Sequence, residues 1–176
     1  MTEFTEDPLE GIRHENEVTS RLLDRLQEAA RKLRSDPGTS GEEILSALSR
    51  LEEYHHQLHG SELRDGLIPE ARSVMMDSCA SHLDGISRHY VEDGEALKSL
   101  REIVANHAYD DPASRRELAD LLEQIVAAER SELAHETDYP LSCLETVLPD
   151  DARERLSTLR ERQRRRRADI ERTVGA

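Results

Sequence analysis

Apolar residues recur along this chain at spacings of three and four, the period of helices that bury one face. The first stripe runs Val18, Leu22, Leu26, Ala29 and Leu33, behind Asp7-Pro8, a capping residue followed by a helix-opening proline. The stretch SDPGTSGEE, residues 35–43, ends that helix and caps the next. The second stripe reads Ile44, Leu48, Leu51, His55, Leu58 and Glu62, up to the break between Gly66 and Pro69. A third takes in Met75, Cys79, His82, Ile86, His89 or Tyr90, then Leu97, Leu100 and Val104, with Gly85 and Gly94 lowering its helix propensity and offering places to kink. After HAYDDPAS, the fourth reads Leu118, Leu121, Leu122, Ile125, Glu129, Glu132 and Glu136 and stops before Pro140. Pro149-Asp150-Asp151 caps a fifth, arginine-rich helix.

The expectation is an all-α fold, a left-handed up-and-down four-helix bundle with an additional C-terminal helix. The four helices fall near residues 9–34, 42–65, 72–106 and 113–138. Residues 1–148 form the bundle, and residues 149–176 form the helix that packs on it or extends from it.

Composition agrees. At 176 residues the chain is long enough for one domain with a real core. Its hydrophobic fraction is 36% but aromatics are only 3% with no Trp, so the core is built from Leu, Ile, Val and Ala, which suits helices better than sheets. Net charge is -14, and no long basic face precedes residue 160, so nucleic acid is not an expected partner. Residues 160–176 reverse the balance, with seven Arg against three acidic residues. Those arginines are expected to pack against the acidic body or against a second copy, making a homodimer through the C-terminal helix one expectation. No apolar run approaches the roughly 18 residues of a membrane span, and the acidic N-terminus lacks an apolar stretch, which reads as cytoplasmic. Cys79 and Cys143 match no zinc spacing and read as reduced, mostly buried thiols.

The chemistry lies in what interrupts the stripes. Five of the eight histidines, His14, His55, His59, His82 and His89, fall where periodicity points inward, joined by glutamates. Burying such groups is costly without compensation, and a metal ion is the commonest compensation for so many at once. Helix residues turn by about 100° each, so His55, His59 and Glu62 point together, as do His82 and His89. Glu129, Glu132 and Glu136 follow the line of Leu121 and Ile125, and His14 sits one turn before Val18. His135, at the edge of its face, is an alternative to Glu136. His56 and His107 are expected to be exposed. A weak internal repeat sets His59 and Glu62 against Glu129 and Glu132, and brings His14 near His82. Each of four helices thus offers donors to the bundle axis, and a His and carboxylate set without thiolates favours iron or manganese over structural zinc. The donors outnumber one ion's shell and suit a pair of metals. No phosphate loop, serine nucleophile motif or Cys-His pairing appears.

These residues carry a resemblance. His14 in IRHENEV, the stretch ILSALSRLEEYHHQLHGSELRDGLIPEA, His82 in SHLDGIS, and LADLLEQIVAAERSELAHETDYPL followed by VLPDDARERL resemble the hemerythrin-like, or HHE cation-binding, domains over roughly residues 9–156. The resemblance implies a four-helix bundle holding an oxo- or carboxylate-bridged di-iron centre that binds dioxygen, handles peroxide or nitric oxide, or senses iron. The ligands expected here are His14, His55, His59, Glu62, His82, His89, Glu129 and Glu132. The chain departs from the family at helix four, where Glu129 and Glu132 stand in place of an expected His, and at helix two, where His55 and His59 precede Glu62. That extra carboxylate moves weight from reversible oxygen carriage toward oxidation or peroxide reduction, because carboxylates stabilise higher oxidation states. The alternatives are a di-iron oxidase or oxygenase acting on a small organic substrate, and a metal-free helical interaction module. No catalytic residue is singled out, and whether the chain is an enzyme stays open.

Overall fold

The computed structural model describes residues 7–72, 77–107, 109–138 and 148–175, with side chains apart from those at 8, 77–82, 87, 89, 91, 93, 137, 138, 174 and 175. The described residues are helical with no strand, and none of their helices is long and apolar enough to cross a membrane.

Helix α1 spans Pro8–Ser35. Its N-cap is Asp7, whose carboxylate accepts from the Leu9 N–H at 3.1 Å, with Pro8 at the first helical position, where a missing N–H costs nothing. Lys32 and Arg34 face the negative end of the helix dipole in its last turn. Helix α2 covers residues 41–72 and changes winding along the way. It is α-helical over Gly41–Leu51, π-helical over Glu52–His59, α-helical for one turn over Gly60–Glu62, π-helical over Leu63–Leu67 and α-helical again over Ile68–Arg72. Helix α3 is Asp77–Ala105 and runs unbroken through Gly85 and Gly94. Helix α4 is Pro112–Asp138, capped by Asp111, which accepts from Ser114 N–H at 2.9 Å. Helix α5 is Asp150–Gly175.

The helices meet in two apolar cores. The larger takes Val18, Leu22, Leu26 and Leu33 from α1, Ile44, Leu48, Leu51 and Tyr54 from α2, Leu97, Leu100 and Val104 from α3, Leu118, Leu122, Val126 and Leu133 from α4, and Ile170 from α5. The smaller takes Leu9 and Ile12 from α1, Leu63, Leu67 and Ile68 from α2, Leu83, Ile86 and Tyr90 from α3, and Leu156 from α5. Read in chain order, α1, α3 and α5 therefore run from the smaller core to the larger, and α2 runs the other way. A layer of buried polar groups lies between the cores: Glu15, His55, His56, His59, Glu62, Glu129, Glu136 and Arg167. Each buried leucine contributes about 2 kcal/mol, so the two cores together hold the fold while this layer adds cost unless its groups satisfy one another.

The C-terminal helix is more than an appendage. Arg153 pairs with Asp7, Arg155 with Glu70 and Arg166 with Glu53 on its outer side, while Arg160 and Arg167 reach the polar layer.

Candidate metal centre

The polar layer has three joined parts. In the first, His59 is the hub: its Nδ1 donates to Glu15 Oε2 at 2.6 Å and its Nε2 to Glu136 Oε1 at 2.9 Å, with all three side chains buried. Burial pulls the His59 pKa down, but the charges and hydrogen bonds of Glu136 and Glu15 outweigh it and raise the value to about 10. His59 is therefore an imidazolium at neutral pH. The other Glu136 oxygen accepts from the Tyr90 hydroxyl at 2.9 Å. Burial and the charge of Glu136 push the Tyr90 pKa well above its ordinary value, so this phenol keeps its proton. Its ring rests on Gly60, where a Cβ would lie 2.7 Å from Tyr90 Cδ1.

In the second part, Glu15 and Glu62 share two guanidinium groups from α5. Arg160 lies 3.1 Å from each carboxylate, Arg167 Nε lies 2.5 Å from Glu15 Oε1, and Arg167 Nη2 donates to Glu62. Burial raises the Glu15 pKa, but the hydrogen bond and charge of His59 and the charges of Arg160 and Arg167 prevail and hold it below its ordinary value. For Glu62 burial prevails, with the charge of Glu15 adding to it against both arginines, and its pKa is raised.

The third part is where compensation stops. Glu129 comes from α4 into the angle between two adjacent imidazoles, with Oε1 3.2 Å from His56 Nε2 and Oε2 3.4 Å from His55 Nε2. Donor atoms of these three buried residues lie within 4.8 Å of one another. Glu129 Oε2 and His56 Nδ1 are buried without a hydrogen-bond partner. Burial, and then the neighbouring His56 and His59, lowers the His55 pKa well below its ordinary value, so His55 is neutral and has a lone pair to offer. Thr19 Oγ1 lies 3.5 Å from His55 Nδ1 and orients the ring, the arrangement in which a second contact fixes which nitrogen faces a metal.

The winding of α2 makes this geometry. The Gly60 N–H bonds to the His55 carbonyl and the Ile68 N–H to that of Leu63, each spanning five residues, so each wide turn takes in one extra residue. Tyr54, His55 and His56 are thereby buried in succession, and His56 joins the site although a straight stripe leaves it outside.

Set against the expected ligands, the structure brings His55, His59, Glu62 and Glu129 into one layer. It does not bring His14 there: that side chain is half exposed, 3.7 Å from Glu171, and Glu15 takes the inward place. The buried face of α1 passes through Leu9, Ile12, Glu15, Thr19, Leu22 and Leu26, and position 14 lies at its flank. Glu132 is likewise displaced. The face of α4 runs Leu118, Leu122, Val126, Glu129, Leu133 and Glu136, leaving Leu121, Ile125 and Glu132 half-buried beside it and His135 exposed. The side chains of His82 and His89 lie outside the described residues, as do those of Cys79 and Cys143. Four participants went unassigned at the level of sequence: Glu15, His56, and the pair Arg160 and Arg167. Glu15 had a signal, its phase with Ile12, Thr19 and Leu22. His56 had none in a 3.6-residue period.

Compared with models of known protein families, with curated proteins and with solved structures, the chain matches none of them.

Proposed function

We propose that this chain is a hemerythrin-like, up-and-down four-helix bundle that holds redox-active metal, iron or manganese, in its polar layer and uses it on dioxygen, peroxide or nitric oxide. The alternating helix directions and the shared cores support the bundle. The observation that carries the metal is Glu129: a buried carboxylate facing only imidazoles, with one oxygen and the adjacent His56 Nδ1 unpartnered. Every other buried acid of the layer faces a guanidinium or the His59 imidazolium, whereas Glu129 faces His55 and His56 and keeps one oxygen without a hydrogen-bond partner. A cation bound by His55, His56 and Glu129 removes that cost.

The donor chemistry fits. Two imidazoles and a carboxylate, with no thiolate among the described residues, suit iron or manganese. Bound iron would supply electron transfer and a coordination position for a small oxidant. The chain's own residues divide the remaining work. Thr19 orients His55; the His59 imidazolium and the Tyr90 hydroxyl hold protons at Nε2 and Oη on the two oxygens of Glu136. Leu58, Leu133 and Tyr90 help to exclude bulk water. A carboxylate among the three donors, with the carboxylates of Glu15 and Glu136 close by, favours oxidation over reversible carriage.

Iron loading of the purified chain, followed by metal analysis and an optical spectrum in air, tests the proposal. Wild type retains near-stoichiometric iron with an oxygen-to-iron charge-transfer band, and Glu129→Ala and His56→Ala lose both. A metal-free wild type, or variants that keep full metal, overturns it.

A second reading has its own support, since the Glu15, Glu62, Arg160 and Arg167 group is internally neutralised and needs no metal. In a metal-free interaction module this network would serve only to fix how α5 docks. Glu129→Gln then stabilises the protein, because it replaces a buried carboxyl group with an unpartnered oxygen by a neutral amide, whereas in a metal protein it costs metal and stability together.

A further inference from the structure

Helix α5 is held to the rest of the chain by few apolar residues. Ala152, Leu156 and Ile170 are buried, and its outer contacts include the ion pairs of Arg153, Arg155 and Arg166, which salt weakens. Yet it sends two charged side chains into the centre of the fold. The passage for them is built in. A Cβ at position 11 would lie 2.1 Å from Arg160 Nη2, so glycine at this point of α1 is what admits the guanidinium. Gly66 on α2 does the same for Leu156 and Leu159, each 2.9 Å from its missing Cβ. Arg167 donates to the main-chain carbonyl of Arg160 at 3.2 Å and is itself buried, and both guanidinium groups meet the same two carboxylates, so the two arginines act as one unit.

What that unit contacts is a set of metal donors. Glu15 and Glu62 are buried carboxylates, and Glu15 Oε2 adjoins His59 Nδ1 at 2.6 Å. Two guanidinium groups carry the same charge as one divalent cation, and they occupy the oxygens such a cation would need. We infer that α5 is an internal counter-cation. Arg160 and Arg167 stand in place of a second metal ion, so the chain takes one ion on His55, His56 and Glu129. A second ion binds on the carboxylates of Glu15 and Glu62 as the arginines withdraw. The helix then sets the nuclearity of the centre, and any condition that lifts it converts a one-ion site into a two-ion site. This rests on the reading of the layer as a metal centre.

The test counts metal. Metal-free wild type, R160Q/R167Q and G11A are dialysed anaerobically against ferrous iron, and iron per chain is measured beside the melting temperature with and without iron. Wild type is expected to bind one ion and R160Q/R167Q two, with a larger iron-dependent rise in melting temperature for the double variant. G11A crowds out Arg160 but leaves Arg167 on both carboxylates, so it gains the second ion with weaker affinity than the double variant. If R160Q/R167Q fails to fold even with iron, G11A decides alone. One ion in all folded proteins, or two already in wild type, overturns the inference and leaves the metal centre standing. No iron in any of them removes the centre and the inference together.

Discussion

The two ends of α2 obey different rules. Over Gly41–Leu51 the helix is regular, and Ile44, Leu48 and Leu51 enter the larger core at spacings of four and three while its other sides are open or half-open. Over residues 52–67 it widens twice, and Tyr54, His55, His56, Leu58, His59, Gly60, Glu62 and Leu63 are all buried. That many buried positions cannot belong to one face; here α2 meets side chains of α1, α3, α4 and α5 on several sides. A period is informative only where a helix has one wet side. Where a helix is enclosed, the informative signal is the identity of the residues: three histidines and a glutamate at positions that also accommodate a tyrosine ring against Gly60.

The contrast predicts different failures at the two ends. Glu62→Ala, in the enclosed part, leaves Arg160 and Arg167 facing Glu15 alone; breaking a buried charge network by removing one partner costs about 4 kcal/mol, read as a large drop in the urea midpoint. Leu48→Ala, in the regular part, opens a cavity costing about 3 kcal/mol, but leaves metal content unchanged. A Leu48→Ala protein that loses iron as readily as a Glu129→Ala protein would erase the distinction between the two ends.

The enclosed part also responds to pH. The folded-state pKa of His59 is about 10, above its unfolded value near 6.5. A base whose pKa rises on folding contributes stability that is complete below the unfolded value and is lost as pH climbs toward the folded one. Metal-free protein should therefore lose stability between about pH 6.5 and about pH 10. His59→Gln, which keeps hydrogen-bonding capacity but cannot carry charge, flattens the profile in this window. Equal slopes for the two proteins in paired thermal melts would show that His59 is not charged between Glu15 and Glu136.

The same contrast explains what could be read from the sequence. Helices α1, α4 and α5 lie close to their expected spans because Asp7-Pro8, Asp36-Pro37-Gly38 and Asp111-Pro112 are strong local stops and starts, whereas α2 runs through the expected break at Gly66 to Pro69 and ends at Arg72. His55, His59, Glu62 and Glu129 were legible as buried polar groups because each interrupts an apolar stripe. His14 was misplaced by one position because Val18 served as the reference for α1, whereas Ile12, Thr19 and Leu22 centre its buried face on Glu15. Glu132 was set on the inward face with Glu129 and Glu136 by a similar phase error on α4, where it is only half-buried. His56 was illegible, since nothing in a local period announces a π turn. Arg160 and Arg167 were legible only as charge; that Arg160 enters the core depends on Gly11, far away in the chain.

The smallest expected effect comes from comparing glycines. Gly11 and Gly60 are fixed by what lies over them, so an added methyl group displaces Arg160 or the Tyr90 ring. Gly94 is also inside a helix, but a Cβ there meets nothing within 4 Å. It makes no close approach and its φ is not positive, so its only structural consequence is a more flexible unfolded chain and a weaker helix. Gly94→Ala should stabilise the protein by about 0.5–1 kcal/mol and leave metal content and the pH profile untouched. Gly60→Ala, the same chemical change, should lower the melting temperature and disturb the centre, because the methyl group at 2.7 Å moves the ring whose hydroxyl holds Glu136. Equal and opposite shifts in melting temperature are not required; opposite signs are. If both variants are stabilised, the Tyr90 ring has room to give, and the enclosed part of α2 is packed more loosely than its burial indicates.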